Sequence, residues 1–167
     1  MEKNDYAFSV CRIEPENNVH ITLEAFKRSG KKLLFVGNWQ NSMYGQKLFS
    51  DYSKYDNITL LSPIYDLDTL FILRNCCSCY IHGHSAGGTN PSLVEAMFFK
   101  KPIFAFGVIY NKETTENKAI YYTSVEELEH ILQNSLDNYS KCAYDMYEIA
   151  FRRYRWEVIA KEYESLY

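Results

Sequence analysis

Residues 82–97 combine a glycine-rich turn, a helix start and a single carboxylate in one short segment. Asn90 is placed to cap a helix and Pro91 to occupy its first position. Unpaired backbone N–H groups and the helix dipole converge at such a start and attract anions. Glu95 follows one turn into the helix, among otherwise apolar residues. N–H groups for phosphates and a carboxylate for a ribose hydroxyl indicate an anion or nucleotide site.

Each of these features alone is more often structural than functional. A Gly-Gly turn before a helix usually does no more than turn the chain. A Glu in the first turns of a helix is often only a favourable partner for the helix dipole. Their combination with the Asn-Pro pair, directly after an apolar strand pattern, favours the functional interpretation.

The form of this segment is His-Ser-x-Gly-Gly-Thr-Asn-Pro-Ser-Leu-x-Glu-Ala-Met over residues 84–97. It resembles the donor-binding motif of retaining GT-B glycosyltransferases of the family 4 type, and is most similar to the bacterial rhamnosyltransferase-like branch. The resemblance implies that Glu95 holds the ribose or deoxyribose of a nucleotide sugar. The segment's residues that it assigns to the nucleotide or diphosphate are Gly87, Gly88, Thr89, Asn90, Ser92 and Glu95.

The segment also departs from the family pattern. That pattern places a second Glu eight residues before the position of Glu95, and Gly87 stands there in this chain. In the family this carboxylate normally contacts hydroxyls of the donor sugar. Its absence here leaves the identity of the sugar open, and His84 or backbone N–H groups are the candidate substitutes for it. The resemblance brings His84 or Thr89 to the diphosphate or the sugar, and His84 is the one candidate catalytic residue.

A second part of the resemblance follows the first predicted strand. Residues 10–18 are similar to the family segment Gly-Arg-Leu-x-Pro-Glu-Lys-Gly, whose arginine typically binds the donor diphosphate. Arg12 matches that arginine, whereas Asn17 stands where the partner lysine usually sits. Asn17 can still donate a hydrogen bond, but without the charge that strengthens such bonds. Ile64 and Tyr65 occupy the loop that usually meets the nucleobase, largely through backbone groups.

The elements that must hold these residues follow from an alternation of apolar runs and helical patterns along the chain, which predicts an α/β fold. We expect a Rossmann-like, doubly wound parallel sheet of about six strands with helices on both faces, as in the C-terminal half of GT-B enzymes. The predicted strands are residues 6–10, 33–37, 58–61, 79–81, 103–106 and 119–122. The predicted helices are residues 19–28, 44–55, a helix capped by Asp66, the helix from Pro91, and residues 124–132, 139–154 and 157–167. Residues 111–117 are predicted to form a polar loop.

Ligands of such sheets bind outside the carboxyl ends of the strands, near the point where the strand order reverses. Arg12, Asn38, Ile64, Tyr65 and residues 82–90 all directly follow predicted strands. Their common location is a second argument for one nucleotide site, although each of these residues alone has an ordinary structural explanation.

Length, composition and charge limit the classes of protein to which the chain can belong. The 167 residues, 47% of them hydrophobic, suffice for one domain with a substantial core. A net charge of -3 gives no electrostatic case for nucleic acid. No apolar run approaches the roughly 20 residues that span a bilayer, and residues 1–5 lack the apolar core of a signal peptide. We therefore expect a cytoplasmic protein.

The five cysteines are Cys11, Cys76, Cys77, Cys79 and Cys142. Three of them cluster, but no second ligand pair at finger-like spacing follows, as a zinc site would require. Buried thiols in a reducing compartment are the favoured interpretation.

The resemblance covers essentially the whole chain and implies one nucleotide-sugar-binding domain over residues 1–167, without the N-terminal acceptor domain. It implies the donor half of a retaining glycosyltransferase, for hexosyl or rhamnosyl transfer, in bacterial surface polysaccharide synthesis. The implied partners are a nucleotide-diphosphate sugar, the missing domain and its saccharide or lipid-linked acceptor. No cofactor or metal is implied. We expect the isolated chain to bind nucleotide weakly, to transfer no sugar, and to reach the inner membrane only through the missing domain.

Other functions remain as alternatives. The departures at Gly87 and Asn17 fit a non-catalytic nucleotide-sugar-binding module or a subunit of a split glycosyltransferase. An epimerase of similar fold fits the motif less well. A CheY-like receiver is excluded because Cys11 and Arg12 stand where its acidic pair belongs. A Rossmann dehydrogenase is excluded because no Gly-x-Gly-x-x-Gly follows the first strand.

Overall fold

A six-stranded parallel sheet forms the centre of the computed structural model, which describes residues 5–164. The strands are β1 (Ala7–Val10), β2 (Leu33–Val36), β3 (Ile58–Leu61), β4 (Cys79–His82), β5 (Ile103–Phe106) and β6 (Ile120–Tyr122). They lie in the order β3-β2-β1-β4-β5-β6, and every neighbouring pair is parallel. The order reverses between β1 and β4, which opens a crevice at their carboxyl ends. The predicted doubly wound parallel fold is confirmed.

Within residues 5–164, eight α-helices and two short 3₁₀ turns connect and extend these strands. The helices are α1 (Val19–Ser29), α2 (Met43–Tyr52), α3 (Leu67–Cys76), α4 (Pro91–Met97), α5 (Ile109–Thr114), α6 (Val125–Gln133), α7 (Ser140–Arg153) and α8 (Trp156–Glu164). The 3₁₀ turns are Pro15–Asn17 and Leu136–Tyr139. None of the helices in the described part of the chain is long and apolar enough to cross a membrane.

Both faces of the sheet are covered, so there are two hydrophobic cores. Helices α1, α2 and α6 pack on one face, where Leu23 and Phe26 meet Leu128. Helices α3, α4 and α7 pack on the other face, where Met97 meets Met146. Strands buried on both sides need apolar side chains at nearly every position. This requirement explains why the strands appear in the sequence as continuous apolar runs.

The helix starts follow the capping residues that the sequence offers. Asp66, Asn90 and Ser124 each accept a hydrogen bond from a backbone N–H in the first turn of α3, α4 and α6, respectively. The predicted caps Asp66 and Asn90 are confirmed. Glu127 completes the α6 start from the other side, because its carboxylate accepts from the backbone N–H of Thr123 at 2.6 Å.

The prediction of a polar loop over residues 111–117 is wrong, because α5 covers Ile109–Thr114. Asn111, Thr114 and Thr115 are buried in spite of their polarity. The hydroxyl of Thr114 donates to the carbonyl of Tyr110, and that of Thr115 donates to the carbonyl of Asn111. Polar side chains that bond nearby carbonyls do not need solvent, so composition alone did not reveal this helix.

Near the C-terminus the predicted boundaries shift. The predicted helix over residues 139–154 corresponds to α7, which covers Ser140–Arg153 and directly follows the 3₁₀ turn Leu136–Tyr139. The predicted helix over residues 157–167 begins one residue earlier as α8, and residues 165–167 lie outside the described part of the chain.

The clustered thiols lie in the interior. Cys76, Cys77, Cys79 and Cys142 are buried and free. Burial raises the pKa of Cys77 to about 12, so this thiol stays protonated near neutral pH. Protonated, buried thiols pack as small apolar side chains.

Candidate functional site

Two cavities lie side by side at the carboxyl edge of the sheet. The β3 cavity, of about 390 Å³, is lined by Val10, Cys11, Arg12, Ile13, Glu14, Val36, Gly37, Asn38, Asn41, Pro63, Ile64 and Tyr65. The β4 cavity, of about 300 Å³, is lined by Ser9, Val10, Cys11, Arg12, Asn17, Ile81, His82, Gly83, His84, Asn90, Pro91 and Ser92. Val10, Cys11 and Arg12 line both cavities. The end of β1 is therefore the point where the two cavities meet.

Arg12 is the cationic group at this junction. Its side chain is 75% exposed, and Nη1 lies 3.5 Å from Oε2 of Glu14. Ion pairs this exposed contribute little to stability, so an anionic ligand can compete for the guanidinium. The neighbouring Cys11 adds no negative charge, because burial raises the pKa of its thiol to about 12.

Asn17 links the β1 end to the segment after β4. Its side chain is almost fully buried, and Nδ2 donates to the carbonyl of Arg12 at 2.7 Å. Its Oδ1 lies 2.7 Å from Nδ1 of His84. Both ends of the amide are therefore bonded within the protein, and Asn17 holds two site segments together rather than pointing freely into the cavity.

Further hydrogen bonds tie the segment after β4 to the turn after β1. Nδ2 of Asn18 donates to the carbonyl of Gly83 at 2.8 Å. The backbone N–H and the hydroxyl of Ser85 both donate to the carbonyl of Glu16, at 2.9 and 2.8 Å. The backbone on either side of His84 is consequently fixed.

Asn111 of α5 supports the same segment from the opposite side. Its Nδ2 donates to the carbonyls of His84 and Phe106 at 2.8 and 2.9 Å, and the residue is 1% exposed. Sequence reasoning missed this residue because it falls in the segment predicted to be a loop. A polar side chain shortly after β5, near the expected site, was the only available signal.

The start of α4 is largely capped by its own residues. Oδ1 of Asn90 accepts from the N–H of Ser92 at 2.9 Å, and the carbonyl of Asn90 accepts from the N–H of Leu93. Pro91 has no N–H to offer. The structure therefore leaves few unpaired donors in the helix itself.

The glycine turn before α4 offers donors instead. Gly87 and Gly88 adopt left-handed backbone conformations, with φ of +69° and +24°. Within residues 5–164, the backbone N–H groups of Gly87, Gly88 and Thr89 make no hydrogen bond. None of these three residues belongs to the lining of either cavity, so their N–H groups lie beyond the lining of the β4 cavity.

Glu95 lies outside both linings and is paired. Its side chain is 56% exposed, and its Oε2 lies 2.6 Å from Nη2 of Arg74, whose own side chain is only 11% exposed. Sequence reasoning missed Arg74, because the two residues are on different helices and no motif joins them. Within the described residues, Oε1 of Glu95 accepts no hydrogen bond.

His82, at the end of β4, has an unusual environment. The residue is 4% exposed, its ring stacks on Tyr80, and its centroid lies 6.1 Å from that of His84. Burial, with a smaller contribution from His84, lowers the pKa of His82 to about 3. The ring is therefore neutral at any physiological pH. Its Nε2 is buried and has no hydrogen-bond partner among the described residues.

The structure thus brings most of the predicted site residues together. Arg12, Asn17, His84, Asn90 and Ser92 line the β4 cavity, and Ile64 and Tyr65 line the β3 cavity. Gly87, Gly88, Thr89 and Glu95 lie outside the linings. A third cavity, of about 350 Å³, lies at the opposite edge of the sheet and includes Lys31, Lys32 and Asn134. It contains none of the predicted site residues.

Solved structures that share this fold include those of HepE, a sucrose-phosphate synthase and the transferase GtfA. HepE of Anabaena, in complex with UDP, superimposes with a TM-score of 0.81 at 18% identity, over 98% of this chain and 49% of that chain. Sucrose-phosphate synthase of Thermosynechococcus elongatus superimposes with a TM-score of 0.83 at 17% identity, over 100% of this chain and 46% of that chain. The pneumococcal O-GlcNAc transferase GtfA, in complex with UDP and GlcNAc, superimposes with a TM-score of 0.74 at 14% identity, over 98% of this chain and 35% of that chain. The chain therefore spans less than half the length of each, and identities this low show the shared fold alone.

Sequence comparison identifies the family. No curated protein sequence matches the chain. The family model described as glycosyl transferases group 1, a GT-B family, matches residues 1–148. This match includes every residue that lines the two cavities and both segments that carry the resemblance. The chain belongs to the glycosyl transferases group 1 family.

Proposed function

We propose that the chain binds the nucleotide-sugar donor of a retaining glycosyltransferase of the family 4 type. The observation that carries this proposal is the junction of the two cavities at Arg12. A nucleotide sugar has a nucleoside at one end, a sugar at the other and an anionic diphosphate between them. Two cavities that meet at an exposed guanidinium match that order of groups.

The first part of the match concerns the nucleoside. We place the nucleobase in the β3 cavity, beside the backbone of Ile64 and Tyr65. The ribose is assigned to Glu95, whose Oε2 is held by Arg74 while Oε1 is left to accept from hydroxyl groups. A charge-assisted bond to a largely buried guanidinium limits the rotation of the carboxylate, which favours a defined hydroxyl contact.

The second part concerns the diphosphate and the chemistry. Arg12 and the N–H groups of Gly87, Gly88 and Thr89 are the donors available to phosphate oxygens. During transfer, negative charge grows on the departing diphosphate, and preorganised donors of this kind stabilise it. We propose that these groups, and not a divalent cation, supply this stabilisation. Asn90 and Ser92 then lie beside the diphosphate and sugar in the β4 cavity.

The biological setting extends the same proposal. HepE has been crystallised with UDP and with UDP-glucose, and GtfA with UDP and GlcNAc. We propose an acceptor domain as the partner of this chain, a cytoplasmic location, and a role in bacterial surface polysaccharide synthesis. The similarity of residues 84–97 to the rhamnosyltransferase-like branch makes dTDP-rhamnose a donor to test beside UDP sugars.

Replacement of Arg12 tests the proposal. Calorimetric titration of the wild type with UDP, GDP and dTDP should identify the base. Arg12→Ala should weaken binding of the preferred diphosphate roughly ten- to hundredfold, since a charge-assisted hydrogen bond contributes about 1.5–3 kcal/mol. Arg28→Ala is the control, because Arg28 is an exposed arginine paired with Glu24 and Glu126. Equal affinity of Arg12→Ala and Arg28→Ala would contradict the proposal.

A second function is favoured by one feature of the β4 cavity. Among the described residues its lining contains no carboxylate, and Gly87 and Asn17 stand where the family pattern has ionised side chains. These features fit a non-catalytic nucleotide-sugar-binding module or one subunit of a split glycosyltransferase. Mixing the chain with a separately produced acceptor domain distinguishes these two, because only a split enzyme then transfers sugar.

A further inference from the structure

We propose that Nε2 of His84 accepts a hydrogen bond from a hydroxyl of the donor sugar, and that Asn17 is the positioning residue that places the proton of the neutral ring on Nδ1 and so leaves the lone pair on Nε2. This inference rests on the proposed function. It adds a side chain that selects the sugar and a second residue that acts only through the first.

The orientation of the Asn17 amide is the first step. A carbonyl oxygen can only accept, so the atom 2.7 Å from the carbonyl of Arg12 must be the NH₂ group of Asn17. The amide oxygen therefore faces Nδ1 of His84 at 2.7 Å. Since that oxygen can only accept, Nδ1 must carry the hydrogen. In the neutral ring, Nε2 then has a lone pair and no proton.

The rigidity of the surroundings is the second step. Asn17 is 4% exposed, and its amide is bonded at both ends. The backbone of His84 is held by Asn111, and the residues on either side of it are held by Asn18 and Glu16. Neither the amide nor the imidazole can turn over without breaking these bonds, so the tautomer is fixed before any ligand arrives.

The chemistry of the cavity is the third step. His84 lines the β4 cavity, and its Nε2 makes no hydrogen bond to the described residues. Phosphate oxygens bring lone pairs and are a poor match for another lone pair, whereas a sugar hydroxyl brings a proton. Among the other side-chain acceptors of this lining, Nε2 of His82 is buried and Oδ1 of Asn90 is already bonded to the N–H of Ser92, whereas His84 is only half-buried. Because no carboxylate of residues 5–164 lines the cavity, Nε2 of His84 is the acceptor best placed for a hydroxyl.

The test compares each nucleoside diphosphate with its sugar. UDP and UDP-glucose, GDP and GDP-mannose, and dTDP and dTDP-rhamnose are titrated into the wild type and into His84→Phe, which keeps a ring but has no lone pair. We expect the affinity for the diphosphate to stay within about twofold. The affinity for the sugar relative to the diphosphate should fall roughly tenfold, the effect of one lost hydrogen bond. His130→Phe, which changes an exposed histidine on α6, is the matched control.

A spectroscopic measurement tests the positioning role of Asn17. Nitrogen NMR of the imidazole rings at about pH 8 should show a protonated Nδ1 and a bare Nε2 for His84 in the unliganded wild type. Asn17→Leu should move the proton toward Nε2 and lower the sugar-to-diphosphate affinity ratio in the same direction as His84→Phe. If Asn17→Leu does not fold, the wild-type spectrum alone decides this step.

The outcomes separate the two proposals. If no nucleoside diphosphate binds to the wild type, the proposed function is wrong and this inference falls with it. If a diphosphate binds and His84→Phe leaves the sugar-to-diphosphate ratio unchanged, this inference alone is overturned. A wild-type spectrum with the proton of His84 on Nε2 would likewise overturn it, whatever the affinities.

Discussion

Gly83→Ala is expected to lower the free energy of unfolding by about 2–4 kcal/mol and to abolish measurable nucleotide binding. A Cβ atom at Gly83 would lie well under 3.0 Å from the carbonyl oxygen of Asn17, a distance that real Cβ atoms essentially never show. The obstacle is backbone, which cannot move aside as a side chain would. The segment after β4 must shift, and His84 and its bond to Asn17 must shift with it.

The control for this change is Gly30→Ala. Gly30 ends α1 with φ of +67°, and a Cβ there would meet nothing within 4 Å. The cost of alanine at this position is about 1–2 kcal/mol of backbone strain, without any effect on the site. Urea unfolding followed by circular dichroism measures the free energy of unfolding of each variant, and a nucleotide titration measures its affinity. If Gly83→Ala were as stable as Gly30→Ala and still bound nucleotide, the close packing of Gly83 on Asn17 would not matter for the site.

A second large effect is expected from His82 when the protein is acidified. The pKa of the buried ring is about 3 in the folded protein and about 6.5 in an unfolded chain. Below about pH 6.5 the unfolded state gains a proton that the folded state cannot accept, so stability falls as the pH falls. The loss contributed by this residue between about pH 7.5 and pH 5 is about 2 kcal/mol. Above about pH 7.5 His82 does not contribute to the pH dependence of the free energy of unfolding.

The measurement is the pH dependence of the urea midpoint in two variants. His82→Phe should have a flatter profile than the wild type between about pH 7.5 and pH 5, whatever its stability at neutral pH. His130→Gln, which changes an exposed histidine, should keep the wild-type slope. The carboxylates with lowered pKa, such as Glu24 and Glu116, lose their contribution at lower pH and do so equally in all three proteins. Parallel profiles for His82→Phe and the wild type would contradict the assigned protonation state.

The fold could be predicted because its signals are local. Apolar runs mark the six strands to within one residue at each end, and the helix starts at Asp66, Asn90 and Ser124 carry their own caps. Helix α5 was missed because the hydroxyls of Thr114 and Thr115 donate hydrogen bonds to nearby backbone carbonyls and can therefore be buried. Local composition cannot distinguish a buried threonine that bonds a nearby carbonyl from an exposed one.

The site could be predicted only in outline. The carboxyl ends of parallel strands must meet at one edge, which is why Arg12, Ile64 and His84 could be grouped before the structure was known. The pairs Asn17–His84 and Arg74–Glu95 depend on side chains far apart in sequence, and no spacing rule predicts them. For the same reason Asn17 was expected to face a ligand, whereas the structure shows its amide bonded to Arg12 and His84.

The most direct test of the proposed order of nucleoside, diphosphate and sugar is a chemical-shift map of the two cavities. Backbone amide spectra are recorded with the preferred nucleoside diphosphate and then with its sugar. The diphosphate should shift the amides of Ile64, Tyr65 and Arg12, and the sugar should add shifts at His84 and Ser92. Shifts confined to the cavity at the opposite edge of the sheet, around Lys31 and Asn134, or no shifts with any nucleotide, would contradict the assignment of this edge as the donor site.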